Sequence, residues 1–185
     1  MMTLIINGLY VKGMAMIYKI VSSGNFGAEQ GGLAAGMLED LEIGGYAPKG
    51  FLTNQGTTPQ IASLNIVELQ TKTTKPAIEK TLLEADAHLI FTHGLTSIPE
   101  RRVMSLIKEY GKIVEVVDLL NPPEPYEILS RLREKNISVL HVTGAHDITG
   151  DTRIYQKVTT FVRGLIKSYK LENAYKANRN EELEN

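Results

Sequence analysis

The segment Ile20-Val-Ser-Ser-Gly-Asn-Phe-Gly-Ala-Glu29 decides the fold. An apolar strand pattern, Ile17 to Val21, runs into a turn of small, hydroxyl-bearing and glycine residues. A helix-compatible run from Ala28 to Leu41 follows at once. A strand, a tight turn and a helix start gather free backbone N–H groups and the positive end of a helix dipole, the place where anions bind in α/β proteins. Gly24 and Gly27 permit positive φ and close approach of a ligand. Ser22, Ser23 and Asn25 are candidates to hydrogen-bond phosphate or ribose, and the same residue types also serve turns and caps. Phe26 stands at the tip, placed to stack on a ligand ring or to plug the core. The loop matches neither G-x-G-x-x-G nor a Walker A pattern, so it points to an anionic small molecule without identifying it.

Outward from this segment the alternation continues. Ile43 to Gly50 reads as a short strand and a turn, Phe51 to Pro59 as a polar loop, and Ile66 to Leu69 as a short strand. Pro76 opens a helix through Ala85, and His88 to Thr92 reads as a buried strand. Pro99 opens a helix through Tyr110, which Gly111 ends; Ile113 to Val117 is the next strand. A helix from Pro123 or Pro125 to about Lys135 precedes a last strand, Ser138 to Val142. Ile154, Val158, Phe161, Val162, Leu165, Ile166 and Tyr169 then trace one helical stripe. Strands alternating with helices predict an α/β domain with a mostly parallel sheet. Residues 1–15 read as an ordered extension, 16–170 as one ligand-binding domain, and 171–185 as a fraying helix and disordered tail.

Composition narrows the function classes. A net charge of −1 supplies no basic field for nucleic acid. With no cysteine, disulfides, thiol catalysis and thiolate metal sites are excluded, which fits a reducing, cytoplasmic setting. No apolar run reaches the ~18 residues of a membrane span.

In open parallel sheets ligands bind beyond the carboxyl ends of the strands. Three loops leave such ends: Ser22 to Gly27, Thr92 to Ser97, and Thr143 to Gly150. The second offers His93, Gly94, Thr96 and Ser97; Ser97 also reads as an N-cap, with Glu100 completing a capping box. The third offers Gly144 and His146, with His141 assigned to a strand interior. Lys49, in a turn between Pro48 and Gly50, is placed to meet an anion as a point charge. Arg101 and Arg102 oppose the dipole at a helix start, which favours a nearby anion. Gly31, Gly32 and Gly36 are poor helix formers whose benefit is close packing against the sheet or a partner helix. His141, His146 and Asp147 invite a metal or acid–base reading, for which two histidines across a turn are weak evidence; no Ser–His–Asp order, paired-carboxylate spacing or H-E-x-x-H is evident, and no metal is expected.

Four segments carry a family resemblance. Lys19-Ile-Val-Ser-Ser-Gly-Asn-Phe-Gly-Ala-Glu-Gln-Gly-Gly-Leu33 resembles the K-I-x-S-G-G-Q-T-G-A-D-x-A-A-L opening of the molybdenum carrier proteins. Gly44-Gly-Tyr-Ala-Pro-Lys-Gly50 resembles their G-G-W-C-P-K-G, Ala85 to Phe91 their S-D-x-T-L-I-F, and Leu140 to Gly144 their L-N-V-A-G. The matches keep their order from Ile17 to Ile166. That family is similar to a wider Rossmann-like group containing the lysine-decarboxylase-like phosphoribohydrolases and the DNA-processing protein A domain. The resemblance implies a three-layer fold with a parallel sheet, a cleft at the strand ends, frequent homo-oligomers (dimer or tetramer), and, in some relatives, the molybdenum cofactor. Ser23 stands for the family's second glycine, Asn25-Phe26 for its Gln-Thr, and Glu29 for its acidic residue. The frame Thr92 to Glu100 keeps one of three glycines and the glutamate of the phosphoribohydrolase motif P-G-G-x-G-T-x-x-E. The expected function is non-catalytic binding, as a carrier or sequestering protein, of a phosphate-bearing small molecule, nucleotide derivative or molybdopterin-type cofactor in the cleft at the C-terminal ends of the strands. The alternatives are hydrolysis of a nucleotide N-glycosidic bond using Glu100, and a regulatory oligomer with a vestigial cleft.

Overall fold

The structure, a computed structural model, describes residues 4–6, 9–11, 17–132, 136–148, 150 and 152–183. In chain order the elements are β1 (Leu4–Ile6), β2 (Leu9–Val11), β3 (Lys19–Val21), α1 (Ala28–Leu38), β4 (Glu42–Ala47), β5 (Leu52–Thr53) and β6 (Gly56–Thr57). A 3-10 turn (Pro59–Leu64), β7 (Ile66–Glu68), α2 (Lys75–Glu84), β8 (Ala87–Thr92), α3 (Ile98–Glu109) and β9 (Ile113–Asp118) follow. The chain closes with α4 (Pro125–Leu132), β10 (Val139–Gly144) and α5 (Arg153–Leu183). The expected end of α4 at Lys135 lies outside the described residues.

Six strands form one all-parallel sheet in the order β7-β4-β3-β10-β8-β9. Helices cover both faces, giving the Rossmann-like three-layer fold. Alternation along β8 shows how the sequence builds the layers. Leu89 and Phe91 join the core beneath α1, α4 and α5, where Leu33, Leu129 and Leu165 are fully buried. Ile90 points the other way, to Leu82 of α2 and Ile107 of α3. β8 and β10 are buried at every position and are largely apolar, with His88, Thr92, His141 and Thr143 as their buried polar residues.

The chain runs outward from β3 to β4 and β7, then crosses back to β8 and β9 and returns to β10. Strand order therefore reverses beside β3 and β10, which sets the ligand crevice of such sheets there.

Two local expectations need correction. Thr143 and Gly144 belong to β10 rather than to the loop after it, because both pair with β8 opposite Ile90 and Phe91. The polar stretch 51–59 is not wholly loop: β5 and β6 pair antiparallel across a turn closed by the Thr53 hydroxyl on the Gly56 carbonyl. Helix α5 continues to Leu183, through the stretch where its apolar stripe lapses. In the segment 1–15, β1 and β2 pair with each other antiparallel.

Candidate functional site

The loop after β3 is held mostly by bonds within the protein. The Ser22 hydroxyl donates to the Val142 carbonyl (3.0 Å) and its N–H to that of Gly44 (2.9 Å). Ser22 thus braces three adjacent strands and is fully buried. Asn25 and Asn54 clasp each other's loops: Asn54 N–H donates to Asn25 Oδ1 (2.9 Å), and Asn54 Oδ1 accepts from Phe26 N–H (2.8 Å). Asn25 donates through N–H and Nδ2 to one oxygen of Glu29 (2.9 and 3.0 Å), whose other oxygen accepts from the Thr143 hydroxyl (3.0 Å). Helix α1 has no side-chain N-cap. A buried carboxylate in its first turn, Glu29, supplies the negative charge that the helix start favours. Gly27, at φ 109°, lets the loop cross His146; a Cβ there would lie 2.6 Å from the Ala145 carbonyl oxygen.

The loop after β8 is pinned at both ends. Gly94 N–H donates to Asp118 Oδ1 (2.9 Å), which also accepts from Leu120 N–H (3.0 Å). These two backbone donors, that of Leu120 first, hold the Asp118 carboxyl below its ordinary value. Ser97 and Glu100 form the expected capping box on α3, Ser97 N–H reaching Glu100 Oε2 at 2.6 Å and Glu100 N–H reaching Ser97 Oγ at 3.3 Å. Glu100 is buried, and its other oxygen has no partner among the described residues. Arg101 donates to the Thr96 carbonyl (2.6 Å), which gives that arginine a local role.

The three loops meet at a cavity of about 450 Å³ between the sheet's carboxyl end and α2 and α3. Of the residues expected from sequence, Ser23, Asn25, His93, Ser97, Gly144 and His146 line it, as does Glu100. An adjoining hollow of about 310 Å³ shares Ser23, Asn25 and His146 and adds Thr53 and Asn54. Gly24, Phe26, Gly27, Gly94 and Thr96 line neither. Lys49 lines neither and is exposed on its turn, with its N–H on the Thr71 carbonyl. Among the described residues, two carboxylates, Glu29 and Glu100, and no lysine or arginine line the cavity of about 450 Å³. The cations lie further out: Lys75 and Arg102 border a third hollow that shares Ile78, Pro99 and Val103 with it.

Glu29, His141 and Thr143 also line this cavity, His141 despite its place inside a strand, together with the apolar Ile78, Ile90 and Val103. His141 sits opposite His88 in the β10–β8 register, and their Nδ1 atoms are 3.0 Å apart with the rings edge to face. Burial lowers the pKa of both rings, that of His88 to about 4. The sequence carried no direct signal for this pair, because the parallel β10–β8 register that sets the two rings side by side joins strands distant in the chain.

Comparison with curated proteins gives no match. Among solved structures, the fold is similar to a Syntrophus aciditrophicus SB protein described as "Putative molybdenum carrier protein", with a TM-score of 0.71 and 24% identity over 83% of this chain and 98% of that one. Identity at that level carries the fold. The model of the circularly permutated YpsA SLOG family matches residues 20–166, a span that includes every strand of the parallel sheet beyond the first residue of β3 and all three loops of the cleft. On that match, the chain belongs to the circularly permutated YpsA SLOG family.

Proposed function

We propose that the protein is a non-catalytic carrier or sequestering protein for a nucleotide-derived or pterin-type small molecule. One observation carries this reading: loops leaving the carboxyl ends of β3, β8 and β10 line a single cavity beside the reversal of strand order. Its volume of about 450 Å³ suits a small organic molecule. The likeness to a protein named for molybdenum carriage is consistent with a pterin-type ligand.

The donor set refines the expected ligand. Carboxylates accept hydrogen bonds and repel phosphate, so Glu29 and Glu100 fit the N–H and O–H groups of a heterocycle or sugar. A phosphate on the same ligand would lie outward, toward Lys75 and Arg102. The molybdenum cofactor, a phosphorylated pterin, fits in that orientation, with its ring inward.

Denaturing freshly purified protein and analysing the released small molecules by mass spectrometry, with ultraviolet absorbance and molybdenum content, tests the reading. A stoichiometric nucleotide or pterin is expected. Protein that is empty and binds neither class in calorimetry would overturn it.

A second reading rests on the unpartnered oxygen of buried Glu100: hydrolysis of a nucleotide N-glycosidic bond. Glu100→Gln keeps a capping-box residue while removing the base. If the chain is a hydrolase, this variant loses turnover of nucleoside monophosphates by about 100-fold or more and keeps binding. Wild-type protein without such turnover removes the reading. Assembly as a homo-oligomer through the hairpin of β1 and β2 also belongs to the proposal. Light scattering before and after deletion of residues 1–15 tests it, and an unchanged mass removes the hairpin's role.

A further inference from the structure

The buried histidine pair fixes which kind of atom the inner wall of the cleft offers. His141 is 2% exposed and lines the cavity. Its Nδ1 is engaged by His88 Nδ1 at 3.0 Å, which leaves Nε2 as its ring nitrogen available to a ligand. His88 is fully buried, and its Nε2 has no hydrogen-bond partner. Both rings are neutral near pH 7, so a single proton lies between the two Nδ1 atoms.

Two arrangements satisfy that contact. In one, His141 donates from Nδ1, and His88 must then carry its proton on Nε2 as a buried N–H with no acceptor. In the other, His88 donates from Nδ1, its Nε2 is a bare lone pair, and His141 carries its proton on Nε2. Orphaned buried N–H groups are rarer than under-used acceptors.

We propose that His141 is a specificity-determining residue of the cleft, held by His88 in the Nε2–H tautomer, so that the ligand group docking against it is a hydrogen-bond acceptor. This deepens the binding reading and rests on it for the ligand. The wall then combines one fixed donor, His141, with two carboxylate acceptors, Glu29 and Glu100. That combination selects a heterocycle edge bearing a carbonyl or bare ring nitrogen as well as N–H groups. His88 is a positioning residue, acting through His141.

Long-range ¹⁵N–¹H correlation spectra of histidine-labelled full-length protein at pH 7 test the tautomers directly. The expected result is His141 protonated on Nε2 alone and His88 on Nδ1 alone. His88→Asn, which keeps an N–H donor near the Nδ1 position, should preserve the His141 tautomer. His88→Leu should release it to a mixture of both, with a loss of co-purified small molecule. His141 protonated on Nδ1, or doubly protonated, overturns the proposal, as does a His141 tautomer unchanged in folded His88→Leu. If His88→Leu does not fold, wild type and His88→Asn decide. The two readings fail separately: protein that is empty and binds neither class in calorimetry defeats the binding reading and leaves the tautomers measurable, whereas loaded protein with the opposite tautomer defeats only this proposal.

Discussion

Glu29 occupies the position at which a phosphate was expected from sequence. Its carboxylate ties the loop after β3 to β10 through Asn25 and Thr143. Glu29→Ala would remove the acceptor shared by Asn25 N–H, Asn25 Nδ2 and the Thr143 hydroxyl, at a cost of about 1–3 kcal/mol. Urea denaturation should show the loss; an unchanged midpoint would remove Glu29 as the brace between the two loops. From sequence Glu29 reads as an ordinary first-turn acid, because its partner Thr143 lies on the opposite side of the chain's path through the sheet. His141 is similar. A histidine inside a strand reads as core, and the exposed His146 is the more obvious candidate, yet both line the cavity.

At the scale of the element, the glycines of α1 explain themselves once the layers are known. A Cβ on Gly32 would lie 2.5 Å from the Val142 side chain in the sheet, and one on Gly36 2.8 Å from Ile43. Gly31 faces the other way, where a Cβ would be 2.7 Å from the Tyr155 carbonyl oxygen and 3.1 Å from Val158 of α5. The helix thus packs closely against both the sheet and a partner helix. Gly31→Ala would gain helix propensity of about 1 kcal/mol and force α1 away from α5 at about 1–3 kcal/mol. A lower midpoint in thermal or urea denaturation is expected; a rise would show that the α1–α5 contact yields easily. The spacing of α5, from Ile154 to Tyr169, was legible because a helix buried along one stripe repeats its contacts locally. Beyond Tyr169 the stripe lapses, so the sequence indicates a fraying helix there without an end point.

At the scale of the molecule, the histidine pair couples the sheet's interior to pH. The folded state protonates His88 near pH 4 and the unfolded chain near pH 6.5. Between those values the unfolded state binds more protons, so stability falls as pH drops from about 6.5 toward 4. The contribution is on the order of 3 kcal/mol. Denaturation midpoints across that range should fall more steeply for wild type than for His88→Asn. Equal slopes would show that the buried ring does not govern the acid limb.

Sequence alone determined the α/β class, the order of the main elements and the three cleft loops. Each is written in local signals: hydrophobic period, proline at helix starts, and glycine where the chain turns. It also carried the resemblance from Ile17 to Ile166, borne out by the family match over residues 20–166. Tertiary structure decided which residues of those loops meet. Ser22 turned inward, Lys49 stayed apart, and Glu29, Glu100 and His141 came together from separate elements. The reason is physical: a residue's type and spacing reveal its element, whereas the partners that bury or expose it come from strands and helices distant in the chain. The sign of the charge lining the cleft is one such property, set by those partners alone.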